Sequence, residues 1–112
     1  MASGTISQNG PRGLYWRAAN GGSGQRKLVI DVSDAGIQIM LIMFVHRRSN
    51  RAPSVVAVQI YSGSCGLIPL SSNATDYSAS ISGNSVSVSV TEDYLTAYVL
   101  SSTAADLYFT TA

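Results

Sequence analysis

The sequence predicts an all-β protein, an antiparallel β-sandwich or jelly roll of about eight to ten short strands. Three observations carry this. Clusters of Gly, Pro, Asn, Asp and Ser recur at short intervals and break the chain into brief segments. No segment between them has helical periodicity, and Ala104-Ala105-Asp106 amounts to one turn at most. The apolar residues either alternate with polar ones or, in Ile37 to Val45, run almost unbroken. At 112 residues the chain fits one domain, 1–112, with a single core. Residues 1–13 are read as an extended N-terminal arm.

In chain order, Thr5-Ile6-Ser7 suits a short edge strand, and Asn9-Gly10-Pro11-Arg12-Gly13 is a loop. Leu14 to Ala18 reads as a strand closed by the glycine-rich Asn20 to Gly24. Its Tyr15 and Trp16 would either stack a sugar ring, or pack one ring in the core and cover its edge with the other. Arg26 to Ser33 alternates, with Leu28, Ile30 and Val32 on one face, and Asp34-Ala35-Gly36 turns into the central run.

That run, Ile-Gln-Ile-Met-Leu-Ile-Met-Phe-Val, has Gln38 as its one polar residue. It is far short of the ~20 apolar residues that span a bilayer, so no membrane insertion is expected. If a tight turn joins it to the preceding strand, an even loop sets Val32 opposite Ile39, Ile30 opposite Leu41 and Leu28 opposite Met43. That choice keeps Gln38 out of the apolar set and gives a core of Leu28, Ile30, Ile39, Leu41 and Met43. Met40, Ile42 and Phe44 are then left on the second face, needing cover. Leaving three such side chains in water forfeits several kcal/mol, at ~1.5–3 kcal/mol each. The expectation that follows is a homo-oligomer, a trimer for preference, with Met40, Ile42 and Phe44 at the interface.

His46 to Pro53 is a polar loop, and Ser54 to Ser62 a second well-buried strand. After a break at Ser62 to Gly66, Leu67 to Leu70 is extended, and Pro69 bars it from a central place in a sheet. Tyr77 to Ser82 and Ser85 to Val90 flank Gly83-Asn84, a two-residue hairpin turn. The register sets Ile81 opposite Val86, Ala79 opposite Val88 and Tyr77 opposite Val90, with serines on the other face. Leu95 to Leu100 and Leu107 to Thr110 are the last strands.

Charge is sparse and unevenly divided. Residues 1–51 carry seven bases and two acids, a net of +5, while residues 52–112 carry four acids and no base, a net of −4. The halves can pair within the fold or between copies, or the charges can simply be scattered and solvated. The basic excess is too small to suggest nucleic-acid binding. Arg47, Arg48 and Arg51 crowd one loop, where they could grip an acidic sugar or phosphate by bidentate hydrogen bonds, or serve as a solvated tip.

Little else carries chemistry. One His and one Cys exclude the usual metal sites, and no cofactor is expected. A Cys65–His46 nucleophile pair is formally available, but a lone cysteine is commonly a small buried hydrophobe. Glu92 and Asp93 are adjacent, which in a strand points them apart. Gly21-Gly22-Ser23-Gly24 lacks the lysine and helix of a phosphate loop. Asn73-Ala74-Thr75 matches the glycosylation triplet by composition alone. With a single Cys no intrachain disulfide forms, and Met-Ala-Ser-Gly-Thr lacks the n- and h-regions of a signal peptide, so synthesis in a reducing cytoplasm is expected.

Gly-Thr-Ile-Ser near the start and Asn-Ser-Val-Ser-Val-Ser-Val-Thr near the end, with Ser/Thr/Gly-rich strands throughout, resemble small bacteriophage virion proteins, above all the distal domains of tail fibres and receptor-binding tips. The resemblance implies a non-enzymatic virion component that forms homotrimers, joins other virion proteins and touches a host surface polysaccharide. A capsid decoration protein would look alike. A monomeric carbohydrate-binding module using Tyr15, Trp16 and Tyr61 is a further alternative.

Overall fold

The structure is a computed structural model and describes residues 14–111. The N-terminal arm and the strand at Thr5-Ile6-Ser7 lie outside the described residues. Nine strands follow one another: β1 (Tyr15–Asn20), β2 (Lys27–Val32), β3 (Ile37–His46), β4 (Ser54–Tyr61), β5 (Ser64–Pro69), β6 (Ser78–Ser82), β7 (Ser85–Ser89), β8 (Leu95–Ser101) and β9 (Ala105–Thr110). They form two antiparallel sheets packed as a sandwich, one ordered β1-β8-β3-β4-β5 and the other β6-β7-β2-β9.

The long apolar run is the middle strand of the larger sheet, as its composition requires. Pro69 closes β5 at that sheet's edge, where its missing N–H leaves no ladder bond unmade. The β6–β7 hairpin pairs Ile81 with Val86 and Ala79 with Val88, and its ladder ends at Ser78–Ser89, one step short of Tyr77 and Val90. Gly83 takes φ +60 at the first turn position, as a primed hairpin turn demands. A second two-residue hairpin joins β4 to β5 through Ser62 and Gly63, at φ 48 and 87. A serine in the left-handed region concealed this turn from the sequence.

The chain crosses between sheets at Asp34-Ala35-Gly36, where the Gly36 N–H donates to Asp34 Oδ1 at 2.9 Å. This crossing overturns the expected register of β2 on β3. Leu28 and Ile30 pair instead with Val88 and Val86 of β7, and with Phe109 and Leu107 of β9. The face assignment of β3 inverts with it. Met40, Ile42 and Phe44 are 1%, 0% and 0% exposed inside the sandwich, whereas Ile39, Leu41 and Met43 stand outside at 54%, 43% and 43%. Met40, Ile42 and Phe44 therefore form the core, not an oligomer interface, and the ground for a trimer built on them falls away.

The reason lies at both ends of β3. Gln38 shares the inward parity, but it sits near the strand's start, where its Oε1 accepts a hydrogen bond from Ser102 Oγ at 2.7 Å. The polar residue that argued against this face is satisfied at the rim of the core. Further along, Phe44 is flanked by the small Ser54 and Ala97, which makes room for its ring beside Tyr77, 4.8 Å away between centroids. Leu28, Ile30, Val86 and Val88 close the core from the other sheet.

Candidate interaction face

The outward parity of β3 is the centre of an apolar layer. Cross-strand pairing sets Trp16, Leu100, Leu41, Ala57 and Ile68 in one row across all five strands. The next row holds Ala18, Tyr98, Met43 and Val55, and on the other side Ile39 lies level with Gln59 and Gly66. Ile37 and Tyr61 pair at one corner. Among the described residues, none standing on this face is charged. A depression of about 260 Å³ opens between Trp16, Leu41, Met43, Val55, Tyr98 and Leu100.

The size of the layer is what distinguishes it. Trp16, Ile37, Ile39, Leu41, Met43, Tyr61, Ile68, Tyr98 and Leu100 are each between 38% and 70% exposed. At ~200 Å² for a whole large side chain, they present on the order of 1,000 Å² to solvent. The largest apolar patch on an ordinary monomer is ~300–600 Å².

Tyr15 and Trp16 do not share a platform. Neighbours in a strand point to opposite faces, so Trp16 joins the outer layer beside Leu100 while Tyr15, level with the buried Ser101, sits at the inner edge. Tyr61 is on the outer layer, but three strands and four residues from Trp16, roughly 19 Å away.

The arginine loop has partners within the chain. Arg51 grips Asp76 at 2.7 Å and Glu92 at 3.3 Å, and it also donates to the Asn73 carbonyl. Arg48 meets Asp93 at 3.1 Å and lies 5.0 Å from the Tyr94 ring centroid. Arg47 donates to the carbonyls of Gly21 and Leu95. The basic and acidic halves of the chain thus pair within one fold, with Arg26–Asp93 at 3.9 Å as a further link. Arg51 and its hydrogen bond pull the Asp76 carboxyl down to about 2. The Gly24 N–H, then Arg48, hold Asp93 below the usual carboxylate range. The three guanidiniums are committed to this end of the sandwich, although Arg48 keeps much of its surface in water. Asn73 is bound likewise, its amide donating to the Ala52 carbonyl at 2.8 Å.

Beneath that network lies an arrangement the sequence concealed, because its members are far apart in the chain. His46 Nε2 is 2.9 Å from Ser54 Oγ, and His46 Nδ1 is 3.2 Å from Glu92 Oε2, too far off axis for a hydrogen bond. The order Ser–His–Glu is that of a hydrolytic triad. A nucleophile needs space for a reacting carbonyl about 3 Å away, and Ser54 is 0% exposed between Phe44 and the neighbouring strands. The His46–Ser54 contact ties the end of β3 to the start of β4 within the core. Cys65 is half-buried on edge strand β5, where desolvation raises its pKa, away from the nucleophilic thiolate.

Among the described residues no group of three or more His, Cys, Asp or Glu could hold a metal, and no helix is long and apolar enough to cross a membrane. In comparisons with known proteins, no family model, no curated protein and no solved structure matches the chain.

Proposed function

We propose that this domain is a non-enzymatic assembly module, a structural virion component that associates through the outer face of its five-stranded sheet. The observation that carries the reading is the uncharged apolar layer of on the order of 1,000 Å², above the ~800 Å² per partner of a standard interface. Supporting it, Ser54 and His46 of the triad-like cluster are buried without access, and Arg48 and Arg51 of the loop are paired with carboxylates of the same chain. The setting follows the resemblance in composition: a tail-fibre or receptor-binding tip that contacts a host glycan, or a capsid decoration protein.

Light scattering at micromolar concentration tests the reading on the wild type and on Leu41→Lys. The expected result is a wild-type mass that is a multiple of 11.8 kDa and a Leu41→Lys mass of one chain. Equal masses in the two proteins would remove the sheet face as the assembly surface. A second reading, a monomeric sugar-binding module, is favoured by the Trp16–Tyr98 depression. It predicts a monomer whose Trp16 emission shifts on titration with oligosaccharide.

A further inference from the structure

The relief of the apolar face singles out a partner. Its most exposed large side chain is Trp16, 70% exposed on edge strand β1. Toward the opposite edge, Ala57 on β4 and Gly66 on β5 leave a depression of about 300 Å³ walled by Ile39, Gln59 and Ile68. A Cβ built on Gly66 meets nothing within 4 Å, so that space is open. The described residues of the face carry no charge, so a fitting partner is uncharged over a matching area. The outer face of the other sheet, with Lys27, Asp31 and Asp106, does not qualify.

Resting on the reading above, we infer that the occupant is a second copy of this chain, turned about a twofold axis along β3, with Trp16 of each copy seated in the Ala57–Gly66 depression of the other. Turning one sheet over along its middle strand lays β1 above β4 and β5 of the partner, and since the row of Trp16 is also that of Ala57 and Ile68, each indole comes down at the mouth of the Ala57–Gly66 depression, twice in one isologous contact. The alternative turn, about an axis across the strands, stacks Trp16 on Trp16 and hollow on hollow. That arrangement leaves voids where interface cores pack at interior density. Gln59 in the wall supplies the acceptor that a buried indole N–H requires.

Trp16 is the sole tryptophan, so its emission reports its own burial. Diluting the wild type should shift the emission to longer wavelength in step with the fall from dimer to monomer mass. Gly66→Phe fills the seat from a position with free space. It should keep the wild-type circular dichroism, and the melting temperature at dilutions where both proteins are monomeric, yet weaken dimerisation by about 30-fold or more and leave Trp16 emission at long wavelength throughout. Trp16→Ala should weaken it comparably, since truncating a buried aromatic anchor typically costs that much, and Gly66→Ala far less. If Leu41→Lys dissociates the assembly while Gly66→Phe keeps the wild-type mass, or Trp16 emission stays unchanged as the wild type dissociates on dilution, the face assembles in another way and the inference is overturned with the assembly reading intact. If Leu41→Lys has no effect on mass, both fail.

Discussion

The two sheets offer water opposite surfaces. On the outer face of the four-stranded sheet, β6 and β7 contribute Ser78, Ser80, Ser82, Ser85, Ser87 and Ser89, and β2 and β9 add Lys27, Asp31, Asp106 and Thr110. Val29 and Tyr108 are the apolar residues among those twelve positions. The described outer face of the five-stranded sheet is uncharged and mostly apolar, with Gln59 within it and Asn20, Thr96 and Ser64 toward the strand ends. Both sheets bury equally apolar inner faces, so core formation does not account for the difference. One sheet is finished as a solvent wall, while the other has a second apolar face that the described residues leave uncovered.

The largest effect should separate inside from outside on the same strand. Phe44→Ala should destabilise the domain by about 3–5 kcal/mol in urea unfolding, as a buried ring truncated to a cavity does. Leu41→Ala, three positions earlier but outward, should cost under about 1 kcal/mol in the dissociated chain. Equal costs would mean that the parity of β3 is not the one described.

Next comes the contrast between outer faces. Leu41→Lys places an unpaired charge in the apolar layer and should weaken association by about 100-fold or more. Ser87→Lys on the serine face should leave association unchanged by sedimentation.

A smaller effect concerns the ion-pair end that closes the sandwich. The Asp76 carboxyl is held at about 2 against an ordinary 3.8, so its contribution is complete above pH 3.8 and is lost as pH falls toward 2. With allowance for the water this pair still meets, about 1 kcal/mol should disappear over that window. Asp76→Asn should lack this part of the acid dependence when stability is followed against pH.

The smallest effect lies on the serine face, where Asp31 stands directly opposite Asp106. Like charges so placed repel, and Asp106→Asn should raise stability by about 0.5 kcal/mol in thermal unfolding.

What the sequence by itself determined was the all-β class, the positions of most strands, the edge location of Pro69, and the β6–β7 register. In each case a local signal is unambiguous: alternation with serine can face only one way, and a proline removes a donor wherever it sits. The split of charge between halves left pairing within the fold, pairing between copies and scattered solvated charges all open, and the fold pairs Arg51 with Asp76 and Arg48 with Asp93. Only the tertiary structure decided which face of β3 is the core. Ile39, Leu41 and Met43 are as apolar as Met40, Ile42 and Phe44, so hydropathy contains no parity there. The one polar residue, Gln38, misled because its partner Ser102 is 64 residues away. The sheet crossing at Asp34-Ala35-Gly36 made the choice, since it set β3 against β4 and β8 rather than β2. Long-range pairing of that kind is a property of the whole arrangement of strands, and no window of the chain encodes it.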